Sequence, residues 1–324
     1  MDIATLFESK TKSLFWRALD AAHLIGVPPP RNVDPGKAYF QIRLCEMYLG
    51  AARKLWHQIY PMLHCFVQCG PTAGHAIASP AQLRELGDAN LDRIANLNVR
   101  LCPLTPYNGE EISLLAGLYA IPGHDAAKAL IDVVGSFSTF DPTDIGRAAA
   151  LSGLIKNGVD SILGLDQATL QLGVRDSFSP GSHPLRSGYY AGIGAAPQDI
   201  DLSQIWVLNG RLVKGKDAST AVPYTDHDYL LLSIECMDKR DDWQQLADLQ
   251  SYRKKLGSIL GDPQFTAAEK RSRLAALWPG FVQMLADCAD LIDSDRDRIA
   301  ALIADELIRK LKSQEEANPF LRAA

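Results

Sequence analysis

The period of the apolar positions changes along the chain, and the change separates a mixed first part from a helical last part. Residues 38–49, AYFQIRLCEMYL, alternate aromatic or aliphatic side chains with Gln41 and Arg43, as a half-buried strand does, until Cys45-Glu46-Met47 blurs the alternation. WVLNGRLV, residues 206–213, sets Asn209-Gly210 between two apolar runs. Asn-Gly takes up positive φ readily, so this segment predicts a hairpin closed by a type I′ turn. SGYYAGIGA (187–195) and DYLLLSIEC (228–236) predict further strands. MLHCFVQC (62–69), bounded by Pro61 and Gly70-Pro71, is too short for a typical helix and predicts another. On it Leu63, Cys65, Val67 and Cys69 share one face, and His64, Phe66 and Gln68 the other.

Between residues 110 and 172, EEISLLAGLYA, DAAKALIDVVGSF and TDIGRAAALSGLIKNGVDSILGL read as helical. After Arg240 the pattern is helical throughout: Trp243, Leu246, Leu249, Leu256 and Leu260, then Leu274 to Cys288, then Ile299 to Leu307. Pro279 is expected to kink or break the middle helix. Four segments carry N-terminal capping signals: Ser79-Pro80, Asp141-Pro142, Thr266 with Glu269, and Ser294 with Asp297. The first 26 residues are amphipathic, with acids at the start. The order of elements lacks a regular βαβ period. It predicts an α+β fold, a mixed or antiparallel sheet flanked by helices, with an all-helical C-terminal segment. The division is a core domain over 1–239 and a helical segment over 240–324 packed on it, since no linker separates the two.

Composition narrows the partners. With 33 Lys and Arg against 38 Asp and Glu, the net charge of −5 supplies no clustered cations for a phosphate backbone, so no nucleic-acid partner is expected. The longest uncharged stretch, Leu55 to Leu83, is interrupted by Pro, Gly and His and does not read as a membrane helix. Six scattered Cys without a CxxC pair, and an N-terminus lacking the basic and apolar regions of a signal peptide, predict a cytoplasmic protein of bacterial type.

Candidate chemistry is sparse. HQIYPMLHCFVQCGPTAGH (57–75) holds three His and two Cys. On a strand Cys65 and Cys69 stand about 13 Å apart, too far to share one ion. They are therefore expected in the core, the alternative being a metal held by His57, His64 or His75 with a distant ligand. Asp141 and Asp144 stand three apart in VVGSFSTFDPTDIG, the wrong spacing for two carboxylates on one strand face. The Gly- and Ser-rich loops before the strands at 187 and 228 concentrate polar groups: Arg175, Asp176, His183, Arg186, His227 and Asp228. Glu235 follows on the strand itself. From these come candidate catalytic residues His183, His227, Asp228 and Glu235, and candidate anion-binding residues Arg175 and Arg186. No cofactor or metal site is assigned, and no phosphate-binding, dinucleotide, zincin or nucleophile-elbow motif occurs.

Two functions follow as expectations. The first is a protein-binding accessory or assembly component of a multi-protein system, with Trp16, Trp56, Trp243 and Trp278 as possible anchors and a homo-oligomer among its states. The second is a metal-assisted hydrolase or phosphotransfer enzyme, which requires His183, His227, Asp228 and Glu235 to converge.

Overall fold

The computed structural model describes residues 14–50, 59–70, 72–78, 95–122, 162, 164 and 168–317. The predicted helix starts at Ser79 and Asp141, together with Trp56, His57, Asp144 and most of 123–167, lie outside the described residues. The fold is α+β. Three sheets and three long helices are found among the described residues, which divide into two compact units.

The first unit comprises residues 1–33, 40–103 and 109–236. Its five-stranded sheet runs in the order β1 (Phe15–Ala18), β9 (Gly188–Ile193), β13 (Tyr229–Met237), β3 (Tyr39–Tyr48), β6 (Ala95–Pro106). A second sheet orders β5 (Thr72–Ala78), β4 (Ile59–Cys69), β7 (Ile112–Pro122) and β8 (Thr169–Phe178), antiparallel throughout. A third orders β12 (Val222–Pro223), β11 (Arg211–Lys214), β10 (Ile205–Leu208) and β2 (Leu24–Ile25), with one parallel pair, β10 with β2.

The first two sheets meet face to face. A Cβ added to Gly192 of β9 would stand 3.3 Å from Val174 of β8, a tight contact that shows how closely the two sheets approach. The third sheet covers the other face of the five-stranded one, burying Leu231, Tyr229 and Ile193 against Val207, Leu212 and Ile205. Strands covered on both sides are apolar on both faces. In the second sheet β4 is also buried on both faces, Leu63, Cys65 and Val67 on one and His64 and Phe66 on the other.

Four expectations are overturned in this unit. Residues 112–122, read as helical, form β7, because a strand buried on both faces gives a continuous apolar run that periodicity cannot tell from a helix. Residues 169–178, read as the end of a helix and a loop, form β8. The N-terminal segment, read as amphipathic, contributes β1 and a 3₁₀ turn at Ala21–His23. Pro61 lies inside β4 instead of bounding it. It pairs with Ala120 of β7, while β5 ends at Ala78 opposite Leu63, so among the described residues β4 has no second ladder at that point to lose a donor.

The predicted hairpin forms as read. Leu208 pairs with Arg211, and Asn209 and Gly210 adopt φ of 51° and 80°. Gly26 approaches this turn so closely that a Cβ would stand 2.1 Å from Asn209 Oδ1, and its own φ is 71°.

In β7 a register shift falls between Leu118 and Tyr119. The Tyr119 ring lies over Gly117, where a Cβ would come within 2.8 Å of it, and its buried hydroxyl has no hydrogen-bond partner among the described residues. Burial pushes that hydroxyl above the ordinary tyrosine range. A desolvated, unpaired hydroxyl costs about 1–3 kcal/mol. Tyr119→Phe is therefore expected to be neutral or to raise stability by up to about 1 kcal/mol in chemical denaturation. A loss above that would mean the hydroxyl is satisfied.

The second unit takes residues 34–39, 104–108 and 237–324. Helices α1 (Ala247–Gly261), α2 (Ala267–Asp287) and α3 (Asp293–Ala317) bury Leu249, Leu256, Leu274, Phe281, Leu285, Ile299 and Ile303 together. The capping box is present: Thr266 accepts from the Glu269 amide and Glu269 from the Thr266 amide. α3 starts at Asp293, so Ser294 lies inside it and is not its cap. Helix α2 continues through Pro279, an exposed position at which the helix loses one backbone donor without ending. Lys270, 8% exposed, donates Nζ to the Leu260 carbonyl at 2.8 Å and so closes the end of α1.

Candidate functional site

The polar residues singled out in the sequence fall at three places in the first unit. At the start of β13, His227 Nδ1 lies 2.8 Å from the Tyr224 hydroxyl, with the two rings stacked. Beside it Asp228 Oδ1 accepts from the Gly50 amide at 2.7 Å, and its carbonyl from the Gly194 amide at 2.8 Å. Asp228 thus holds the backbone at Gly50 through its side chain and at Gly194 through its carbonyl.

Glu235 stands near the other end of β13, roughly 23 Å from Asp228 at about 3.3 Å per residue. It accepts from Arg43 Nε at 3.1 Å, and Arg43 also reaches Gln41 Oε1 and the carbonyl and side-chain oxygens of Asn98. Glu235 is 37% exposed, so the pair contributes about 0–1 kcal/mol.

His183 lies in the tight turn after β8, where Ser179 and His183 exchange backbone hydrogen bonds. Its Nδ1 is 3.1 Å from the Ser177 carbonyl and 3.4 Å from Asp176 Oδ1. The ring rests on Phe178 at 4.9 Å between centroids and is half exposed. Asp176 in turn accepts from the Trp16 indole at 2.7 Å and from the Ser177 amide at 2.8 Å. That indole–carboxylate bond ties β1, an edge of one sheet, to β8, an edge of the other. Arg175 is exposed beside Asp176, on the opposite face of β8. Arg186 is exposed, bridges to Asn32 and accepts from the Tyr190 hydroxyl through its carbonyl at 3.0 Å.

His183, His227, Asp228 and Glu235 thus do not share one site. Extension of β13 separates His227 and Asp228 from Glu235, while His183 belongs to the turn after β8. Among the described residues His183 has a carboxylate within reach, Asp176.

Comparison with family models, with characterised proteins and with solved structures finds no match for this chain.

The remaining chemistry-bearing residues sit in the core. Cys65 is buried, and burial pushes its thiol far above the ordinary range. Cys69 is pushed up to about 12 and Cys45 to about 11, again by burial. Thiols so shifted stay protonated at neutral pH, so they are inert as nucleophiles. Among the described residues no group of three or more His, Cys, Asp or Glu could hold a metal ion, and no helix is long and apolar enough to cross a membrane.

One buried carboxylate was not among the expected sites. Glu46 of β3 is 1% exposed, and its Oε2 accepts from the Leu212 amide at 2.9 Å and the Tyr229 hydroxyl at 3.0 Å. Its signal in the sequence is the break in alternation at Cys45-Glu46-Met47, three residues that are all buried.

Proposed function

We propose that this protein acts by binding another protein, as an accessory or assembly component of a multi-protein system. What carries the reading is apolar surface that the helices leave outside their own bundle. Val282 of α2 and Leu302 and Ile308 of α3 are 41%, 46% and 52% exposed. At about 100° per residue, Leu302 and Ile308 lie roughly 120° to either side of the buried stripe through Ile299, Ile303 and Leu311. Leu302 and Ile308 thus stand outside the stripe that the bundle buries, and aliphatic side chains kept in water there are what a partner would cover.

The tryptophans give less. Trp243 is buried, Trp278 is half-buried against Phe281, and the Trp16 indole is committed to Asp176.

The test is site-specific photo-crosslinking from positions 302 and 308 in the cells that make the protein, with exposed Lys312 as control, alongside light scattering of the purified chain. A discrete adduct from 302 or 308 that is missing from 312 is the expected result. An adduct at twice the chain mass with a dimer in scattering would identify the partner as a second copy. A monomer with no adduct above the control would remove the support. Leu302→Glu with Ile308→Glu is expected to weaken the captured complex by about tenfold or more.

A further inference from the structure

The Glu46 carboxyl joins three strands: it belongs to β3, accepts from the Leu212 amide of β11 and accepts from the Tyr229 hydroxyl of β13. The hairpin geometry explains why that amide is available. In a two-residue hairpin closed by Leu208 and Arg211, the next pair, Val207 with Leu212, is of the non-hydrogen-bonded kind. The Leu212 N–H therefore points away from β10. On that side β12 is only two residues long, aligned with Val213 and Lys214, and the carboxyl oxygen of Glu46 takes the place of a strand carbonyl.

We propose that Glu46 is a pH-responsive tie between the five-stranded sheet and the β10–β11 hairpin, holding the hairpin most firmly while its carboxyl carries a proton and less firmly once ionised. Both donors can bond either form, so the geometry persists in both states and what changes is the cost of a charge at this position. Arg211 of β11 faces the carboxyl and favours ionisation; the Tyr229 hydroxyl from β13 does the same, and Cys45 and Tyr48 on the strand of Glu46 and Tyr224 after β12 are further titratable groups around this cluster. Burial is the largest effect and outweighs these, holding the carboxyl above the ordinary glutamate range. The folded chain then binds more protons than the unfolded one in the window that opens at the ordinary glutamate value. The contribution of Glu46 is complete below that value and is lost as pH rises through the folded one.

Amide exchange at Leu212 and Val213, corrected for intrinsic rates and followed from pH 4 upward in the wild type and in Glu46→Gln, tests this. Glutamine keeps a carbonyl acceptor and cannot ionise. The protection of these amides in the wild type, relative to Glu46→Gln, is expected to fall as pH rises, by up to about tenfold for each unit by which the carboxyl is displaced. A ratio that does not change with pH overturns the proposal. Should Glu46→Gln fail to fold, a carbon-13 titration of the Glu46 carboxyl in the wild type decides it: an inflection above that of exposed glutamates supports the tie, and one at or below it overturns it.

Discussion

Asp295→Ala is expected to lower the unfolding free energy of the helical unit by about 3–5 kcal/mol. Asp295 is 1% exposed, and its two oxygens serve different parts of that unit. Oδ2 accepts from the Tyr39 hydroxyl at 2.8 Å and the Arg240 amide at 2.6 Å, and Oδ1 from Arg298 Nε at 2.6 Å. The Tyr39 oxygen also accepts from the Ile292 amide at 3.0 Å, one residue before α3 begins. Truncation strands a buried hydroxyl and a buried backbone donor, while Arg298, which is 31% exposed, can turn to water. The control is Asp293→Ala. Its carboxylate is 89% exposed although it meets Arg296 at 2.6 Å, and its loss should cost about 0–1 kcal/mol. Denaturant titrations monitored at helix-specific amides separate the two. Equal losses would show that the buried carboxylate does not organise the start of α3.

In the first unit the corresponding position is Tyr229, for which Tyr229→Ala is expected to cost about 3–5 kcal/mol. The ring is fully buried, stacked on Tyr48 at 5.8 Å and edge-on to Tyr224 at 5.6 Å, within the cluster between the five-stranded sheet and the third sheet. Tyr229→Phe keeps the packing and removes only the donor to Glu46, at about 1–3 kcal/mol, since the acceptor is a buried carboxyl group. The difference between the two variants isolates the ring. If Tyr229→Ala cost no more than Tyr229→Phe, the third sheet would not be packed on this residue.

A smaller effect is expected at the hairpin. Gly26→Ala combines positive φ with a contact of 2.1 Å to Asn209 Oδ1, and about 1–3 kcal/mol should be lost by thermal or chemical denaturation. Loss of less than about 0.5 kcal/mol would mean that the turn moves aside at little cost.

What could be read without the structure depended on how far apart the interacting groups lie in sequence. The type I′ turn at Asn209-Gly210 and the capping box at Thr266 involve neighbours or residues three apart, and both formed as the residues indicate. β7 could not be told from a helix because both its faces are covered. The candidate site failed for a related reason. His227, Asp228 and Glu235 are close in sequence, but an extended backbone places them near opposite ends of β13, whereas Asp176 and His183 are brought together by a turn.

The residues alone determined the α+β class, the hairpin, the three C-terminal helices and the burial of Cys65, because local backbone preference and hydrophobic period act within one element. Tertiary structure alone decided that Glu46 meets Leu212 and Tyr229, that Asp295 meets Tyr39, and that Trp16 meets Asp176. Each of these carboxylates finds a donor more than fifty residues away, and only the packing of sheets or helices removes the water that would otherwise satisfy it.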